Sequence, residues 1–223
     1  MPWLQTKTHH MNMLMEEMRD RNETTLNLVQ IRHNMERSVT GPIVLALTKT
    51  GITPNTLTII GFLITLIAAI LIGMGHFISG GITILIAGVF DMLDGTLARS
   101  KKQETRFGAF LDSVLDRFSE AVLLLGILII SLQRNLVPEI ILVFVVLTGS
   151  MMTSYVRARA EGLGWKGKAG WFTRPERVIV LAIGVITQQI FVALILMAVF
   201  IIITVIQRIT DVHKEAREKR NPE

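Results

Sequence analysis

Four aspartates form two pairs whose spacing places each pair on one helix face. Asp91 and Asp94 are three residues apart, and a helix brings such positions to the same side. Asp112 and Asp116 are four residues apart, which has the same consequence. Both segments are otherwise apolar enough to cross a bilayer, where unpaired carboxylates are costly to bury. Divalent cations between the carboxylates would keep them ionised together, so the pattern predicts a metal site.

Phosphate chemistry suits such a site. Carboxylate and phosphate oxygens favour hard cations, so we expect Mg²⁺, two ions in number, with Mn²⁺ as a possible substitute. Two ions could bridge a diphosphate and stabilise charge on a departing phosphate. Gly95 removes side-chain bulk beside the carboxylates, and Arg99 is placed to pair with phosphate oxygens. A carboxylate that is less strongly engaged in metal binding could take a proton from an attacking hydroxyl group.

The composition predicts a membrane protein. Half of the 223 residues are hydrophobic, in long continuous runs rather than in the alternating pattern of a barrel. Only helices or closed barrels satisfy their backbone in lipid, so we expect an all-α integral membrane protein. The chain has no cysteine, which excludes a disulfide and a thiolate metal site.

Hydropathy predicts six transmembrane helices, preceded by an amphipathic interfacial helix. The expected organisation is a polar N-terminal extension (1–22), amphipathic juxtamembrane helices (23–50), a six-span domain (51–208) and a basic cytoplasmic tail (209–223). Asn55 is the expected N-cap of the first span. A tight turn at Gln188-Gln189 is expected to divide the last apolar run into two short spans.

The distribution of basic residues predicts the orientation. With six spans, 22 of the 23 lysine and arginine residues fall on one side, and Arg134 alone falls on the other. By the positive-inside rule the basic side is the cytoplasm. We therefore expect a multi-pass protein of the cell membrane, with both termini and the aspartates on the cytoplasmic side.

The aspartate segment also resembles a known signature. Asp91, Asp94, Gly95, Ala98, Arg99, Gly108, Asp112 and Asp116 match D-x2-D-G-x2-A-R-x8-G-x3-D-x3-D at every position. This is the signature of the CDP-alcohol phosphatidyltransferases, and the resemblance extends from about Gly51 to Arg177. It implies transfer of a phosphatidyl group from a CDP-linked lipid (CDP-diacylglycerol or CDP-archaeol) to an alcohol, with release of CMP. It also implies a homodimer and no nucleic-acid partner.

The resemblance assigns roles to individual residues. Asp91, Asp94 and Asp112 would bind metal, and Asp116 would bind the second metal and act as general base. The positions that match contacts to the CDP-lipid are Asn55, Thr56, Leu57, Thr58, Gly95, Arg99 and Thr105. The start of the first span would also offer free backbone N–H groups to an anion.

Two further segments bear on the acceptor. Ser154–Glu161 and Arg174-Pro-Glu-Arg177 resemble the phosphatidylinositol-phosphate synthase branch, which uses inositol 1-phosphate. The expected contacts to the acceptor phosphate are Ser154, Arg157, Arg174 and Arg177. A cluster of arginines suits a phosphorylated acceptor better than a neutral alcohol. Glycerol 3-phosphate and serine remain alternative acceptors, and the arginines between Arg157 and Arg177 also fit a plain positive-inside signal.

A divalent-cation carrier is an alternative of another class. It would use the same carboxylates, but it predicts charges deep within several spans. Here the charges gather at one end of two spans. Metal flux into vesicles without any CDP-lipid would favour a carrier, whereas CMP release that needs both substrates would favour the enzyme.

Overall fold

The computed structural model describes residues 51–101, 105–165 and 170–220. The predicted extension (1–22), the interfacial helix (23–50) and the end of the basic tail (221–223) lie outside these residues. The regular structure in the described part is helical throughout, in agreement with the predicted class. Its six helices are α1 (Pro54–Gly73), α2 (Phe77–Ser100), α3 (Arg106–Gln133), α4 (Val137–Gly162), α5 (Arg174–Ile186) and α6 (Ile190–Arg220).

Threonines cap the three helices that begin near the aspartates. Thr53 caps α1, and its hydroxyl accepts a hydrogen bond from the backbone N–H of Thr56 at 3.3 Å. The predicted cap at Asn55 is wrong, because the chain is still extended at Thr53 and the helix has already begun at Pro54. Thr105 caps α3 by accepting from the Gly108 N–H at 2.9 Å.

The cap of α5 fixes the first arginine of that helix. Thr173 donates its backbone N–H to Glu176 Oε2 at 2.8 Å, as in a capping box. Arg174 is therefore the first residue of α5, and Arg177 follows on the same face.

The described residues from Thr53 onwards form one unit with a continuous apolar core. Helix α1 packs on α2 and α3, α4 packs on α3 and α6, and α5 packs on α2 and α6. Fully buried side chains from all six described helices meet in this core: Ile72, Ile84, Leu124, Val146, Val185 and Leu194. The core ties the first three helices to the last three and holds their ends in a fixed arrangement.

Small residues allow the closest helix approach. A Cβ atom at Gly126 of α3 would lie 3.0 Å from the Ala69 Cα of α1, and it would also overlap the Ala69 carbonyl group. Helices in lipid associate through such close packing, because lipid tails are as apolar as the helices themselves. Gly126 therefore sets the distance between α1 and α3, the helices that begin beside the site.

Four of the six described helices, namely α1, α2, α4 and α6, are long and apolar enough to cross a membrane. Helix α3 carries several charges in its first half, and α5 has only 13 residues, or about 20 Å against a hydrocarbon core of about 30 Å.

The tight turn between α5 and α6 lies where it was predicted, with Gln188 at a φ of 59°. Helix α6 then continues unbroken past Arg208 to Arg220.

Candidate active site

Three of the four aspartates converge between α2 and α3. Asp91, Asp112 and Asp116 each offer one carboxylate oxygen, and these three oxygens all lie within 4.8 Å of one another. The side chain of Asp91 is 35% exposed and that of Asp116 is 15% exposed, so the group opens towards solvent. We name Asp91, Asp94, Asp112 and Asp116 the acidic cluster.

Asp94 lies deeper in the acidic cluster. It is 5% exposed, and the side chain of Thr58 on α1 lies against its carboxyl group. Among the described residues, its buried Oδ2 atom has no hydrogen-bond partner. An unpartnered buried carboxylate oxygen beside three converging carboxylates fits a divalent cation, which prefers oxygen ligands. The residues present therefore match the predicted metal site.

Arg174 lies across the acidic cluster. Its Nη1 atom is 2.6 Å from Asp91 Oδ1, and the same atom forms an ion pair with Asp116 Oδ1. Its Nε atom is buried and has no partner in the part of the chain that the structure describes. The predicted acceptor-phosphate residue Arg174 is thus paired here with two of the predicted metal ligands.

Arg117 joins the acidic cluster to α4. Its Nη1 atom is 3.3 Å from Asp116 Oδ2, and its Nε atom donates to the Ser154 hydroxyl oxygen at 3.0 Å. Ser154 was predicted to contact the acceptor, and Arg117 links it to Asp116, the predicted base. Arg117 was counted in the sequence only as a topological charge, although its place directly after Asp116 was a signal of a role in the site.

Arg177 forms a buried ion pair with Glu120 of α3. Both residues are 5% exposed, and the pair is bidentate, with 2.7 Å from Nε to Oε1 and 3.1 Å from Nη2 to Oε2. Ser150 of α4 donates to the same Glu120 Oε1 at 2.8 Å. Two of the guanidinium nitrogens of the predicted acceptor residue Arg177 are therefore occupied by a protein carboxylate.

A further arginine enters the region from α6. Arg208 is 6% exposed and donates to the backbone carbonyl group of Thr153. It lies within electrostatic reach of Arg117, Arg157 and Arg177, and we name these four residues the arginine cluster. Nothing in the local sequence distinguished Arg208 from the other basic residues near the end of the chain. Its position becomes visible only when α6 packs on α4.

Arg157 lies at the exposed side of the arginine cluster. Its Nε atom is 2.9 Å from Glu161 Oε1 one turn later on α4, and both side chains are about half exposed. Because such surface pairs are weak, a stronger anion could take Arg157 from Glu161.

The predicted contacts to the CDP-lipid divide into two groups. Asn55 and Thr105 both border Gly108, where a Cβ atom would lie 3.0 Å from Asn55 Oδ1 and 3.0 Å from Thr105 Oγ1. The Thr56 hydroxyl group lies 2.9 Å from that of Thr53. Leu57 is only 2% exposed, so it supports the core of the fold and offers almost no surface to a ligand.

Gly95 and Arg99 lie one turn apart on α2, next to the acidic cluster, where Gly95 is partly buried and Arg99 is exposed. A Cβ atom at Gly95 would approach only Arg99 Nη1, at 3.7 Å, which leaves open space next to the aspartates. The exposed Arg99 makes a hydrogen bond of 3.4 Å to the Thr96 hydroxyl group. That long bond leaves the guanidinium group able to meet an anion.

Comparison with known proteins identifies the relatives of this chain. The sequence model of the CDP-alcohol phosphatidyltransferase family matches residues 51–209. An archaetidylinositol phosphate synthase of Pyrococcus horikoshii is 41% identical over 169 residues, which are 75% of this chain and 87% of that protein. A phosphatidylinositol phosphate synthase of Mycobacterium bovis is 35% identical over 185 residues, covering 78% of this chain and 85% of the relative.

Solved structures show the same fold. The crystal structure of Mycobacterium tuberculosis phosphatidylinositol phosphate synthase with CDP-DAG bound has a TM-score of 0.73 at 34% identity, and the match covers 78% of this chain and 94% of that one. The complex of that enzyme with manganese and citrate has a TM-score of 0.70, also at 34% identity, over 78% of this chain and 88% of the other. With its acidic cluster and with residues 51–209 matched, this chain belongs to the CDP-alcohol phosphatidyltransferase family and is an enzyme of that class.

Proposed function

We propose that the protein transfers the phosphatidyl group of CDP-diacylglycerol, or the equivalent group of CDP-archaeol, to inositol 1-phosphate and releases CMP. One observation carries this proposal: Asp116 of the acidic cluster pairs with Arg117 of the arginine cluster, and Arg117 also donates to Ser154. The proposed base would thus lie between a site for a cation-bound diphosphate and a site for a second, separate phosphate. The names of the similar enzymes from Pyrococcus and Mycobacterium support inositol phosphate as the acceptor.

The CDP-lipid would bind at the ends of α1, α2 and α3. Asn55, Thr105 and Arg99 would contact its nucleotide and diphosphate, together with the backbone N–H of Asn55. The N–H groups of Thr56 and Leu57 are bonded to Thr53, and Pro54 has none. Asp91, Asp94, Asp112 and Asp116 would hold Mg²⁺, in two ions. When bound, the cations would neutralise the diphosphate and stabilise charge on the leaving phosphate.

The acceptor phosphate would bind at the arginine cluster. Arg208 and Arg157 would hold its oxygens, with Ser154 as a hydroxyl donor and with Arg174 and Arg177 on the adjacent face of α5. This places a hydroxyl group of the acceptor near Asp116, which takes its proton. The acceptor oxygen forms a bond to the lipid-linked phosphorus, and the bond from that phosphorus to CMP breaks, with the electron pair leaving on CMP.

The arginine cluster favours a phosphorylated acceptor over serine. Arg208 is repelled by the other three members of the arginine cluster. A phosphate bound beside Arg208 would relieve that repulsion, whereas the neutral zwitterion of serine would relieve less of it. Glycerol 3-phosphate carries the same phosphate group and remains the second candidate. Against a cation carrier, α1 contains no charged residue, and the acidic and arginine clusters gather at one end of the described helices.

We further propose that the domain of residues 51–208 spans the cell membrane six times, with α3 and α5 completing the four helices that meet the length and composition criteria. Both clusters would then face the cytoplasm, where water-soluble acceptors and CMP are found, and the lysine and arginine distribution supports this orientation. We also propose a homodimer, on the strength of the family resemblance.

An acceptor panel tests the function. The full-length protein would be purified in detergent and supplied with MgCl₂ and CDP-diacylglycerol, and CMP release would be measured with inositol 1-phosphate, glycerol 3-phosphate, serine or free inositol. We expect CMP release that depends on the lipid and is fastest with inositol 1-phosphate. Equal rates with inositol and inositol 1-phosphate would overturn the assignment of a phosphate site.

A further inference from the structure

Arg174 takes the place of a cation within the acidic cluster. Its Nη1 atom contacts Asp91 Oδ1 at 2.6 Å and also pairs with Asp116 Oδ1. These aspartates belong to the group of three whose oxygens lie close enough to hold one metal ion. Each of the two carboxylates comes from a different helix, so Arg174 links α2, α3 and α5 at this point.

A guanidinium group and a divalent ion compete for these oxygens. Both are cations, so they repel one another at the short distances that shared ligands impose. A metal ion bound by Asp91 and Asp116 also needs the lone pairs that the N–H groups of Arg174 now occupy. Metal binding at the cluster therefore weakens the hold of these two aspartates on Arg174.

The contacts of Arg174 indicate that it can leave the cluster. Its side chain is 21% exposed, and its buried Nε atom has no hydrogen-bond partner among the described residues. Arg177, one turn later on the same helix, is held at two nitrogens and is buried. Moving a partly exposed side chain with an unsatisfied donor should cost less free energy than moving a buried side chain that is bonded at two nitrogens.

A destination for the guanidinium group lies close by. Arg117 of the arginine cluster pairs with the other oxygen of Asp116 and donates to Ser154. An anion bound beside Asp116 would offer Arg174 new acceptors within a short movement of its side chain. Arg174 can thus pair with the aspartates of the acidic cluster when metal is absent and bind an anion when metal is present.

We propose that Arg174 is a built-in counter-ion of the acidic cluster, which a divalent metal displaces, and that the displaced guanidinium group then binds the acceptor phosphate. Metal and phosphate bind with positive coupling as a result, since each favours the displaced position of Arg174. The second half of this proposal rests on the proposed function, and the first half does not.

Metal titrations test the displacement. Mn²⁺ binding to the full-length protein in detergent would be followed by electron paramagnetic resonance without any CDP-lipid, for wild type, Arg174→Gln and Arg117→Gln. Both variants remove one positive charge beside Asp116, but only Arg174 shares its contacts with Asp91. We expect Arg174→Gln to bind Mn²⁺ roughly 5–150-fold more tightly than wild type, the usual range for coupled equilibria. Arg117→Gln is expected to show a smaller gain.

Two results would overturn the displacement. One is an equal gain in both variants, since a general charge effect would suffice to explain it. The other is weaker Mn²⁺ binding by Arg174→Gln, since Arg174 would then support the metal site. Arg174→Lys keeps the charge and provides a second variant, with an expected affinity between those of wild type and Arg174→Gln. Gel filtration and thermal unfolding would confirm that each variant is folded.

A second titration tests the coupling. Mn²⁺ affinity would be measured with and without saturating inositol 1-phosphate, and again with inorganic phosphate. We expect either phosphate, at saturation, to tighten Mn²⁺ binding in wild type and to do so much less in Arg174→Gln. Undiminished coupling in Arg174→Gln would overturn the role in phosphate binding. CMP release by wild type is measured separately, so failure of the proposed function would be recognised independently of these results.

Discussion

Two ion pairs one helical turn apart connect α3 and α5, and they differ in what surrounds them. The outer pair joins Asp116 to Arg174, and the inner pair joins Glu120 to Arg177. The acids are four residues apart on α3 and the arginines three apart on α5, so both pairs use the same two helix faces.

The inner pair is satisfied within the protein. Glu120 receives two hydrogen bonds from Arg177 and one from Ser150, and both charged residues are 5% exposed. A buried ion pair is tolerable only when its geometry is good and its remaining polar atoms are bonded. The inner pair meets that condition and ties α3, α4 and α5 together.

The outer pair is left incomplete. Asp116 shares Arg174 with Asp91, a third carboxylate lies within 4.8 Å, and Asp94 Oδ2 and Arg174 Nε lack partners in the described part of the chain. Like charges held close together without full compensation are costly unless a ligand completes them. The comparison shows how similar residues one turn apart can serve a ligand in one place and the fold in the other.

The largest expected effect follows from changing the outer acid. Asp116→Asn removes the proposed base while keeping the size of the side chain, and we expect CMP release to fall roughly 10²–10⁴-fold. The measurement is the rate with saturating CDP-diacylglycerol and inositol 1-phosphate, alongside a thermal unfolding curve. Near-normal turnover in the folded variant would contradict the role of Asp116 as the base.

Changing the inner acid is expected to affect stability first. Glu120→Ala leaves Arg177 buried without its partner, at a cost of about 3–5 kcal/mol. Thermal or chemical unfolding in detergent would measure the loss. If Glu120→Ala unfolded like wild type, the inner pair would not be the structural contact that its burial indicates.

Metal addition tests the same difference between the outer and the inner ion pair. A ligand that binds only the folded state stabilises it by about 2.7 kcal/mol at 100 times its dissociation constant, so saturating Mg²⁺ should raise the unfolding temperature and EDTA should reverse the rise. Asp91→Asn is expected to lose most of this increase, because it removes one of the three converging carboxylates. Full retention of the increase in Asp91→Asn would place the stabilising metal elsewhere.

The smallest effect is expected at the exposed pair of Arg157 and Glu161. Both side chains are about half exposed, and surface pairs of this kind contribute about 0–1 kcal/mol. Glu161→Ala therefore provides a matched control for Glu120→Ala, since each removes a glutamate bonded to an arginine. Similar losses of stability in the two variants would contradict the distinction drawn from burial.

Local patterns were sufficient to predict much of the site. The spacing of Asp91, Asp94, Asp112 and Asp116 predicted shared helix faces, and the structure brings these acids together. The long apolar runs predicted helices, and the break at Gln188 predicted the turn before α6. The cap at Asn55 was predicted two residues too late, because Asn is the stronger capping residue, whereas Pro54 at the first helical position makes Thr53 the cap.

The sequence by itself therefore determined the helical class, the acidic cluster and the family, because helix periodicity and apolar length act over a few residues. Only the tertiary structure decided which arginine meets which acid. Arg174 lies 83 residues from Asp91, and Arg177 lies 57 residues from Glu120, so their pairing depends on how α5 is placed against α2 and α6. Arg208 joins the arginine cluster for the same reason, since only the packing of α6 on α4 brings it to Thr153. A long charged side chain can reach several partners, and the backbone that carries it selects one of them.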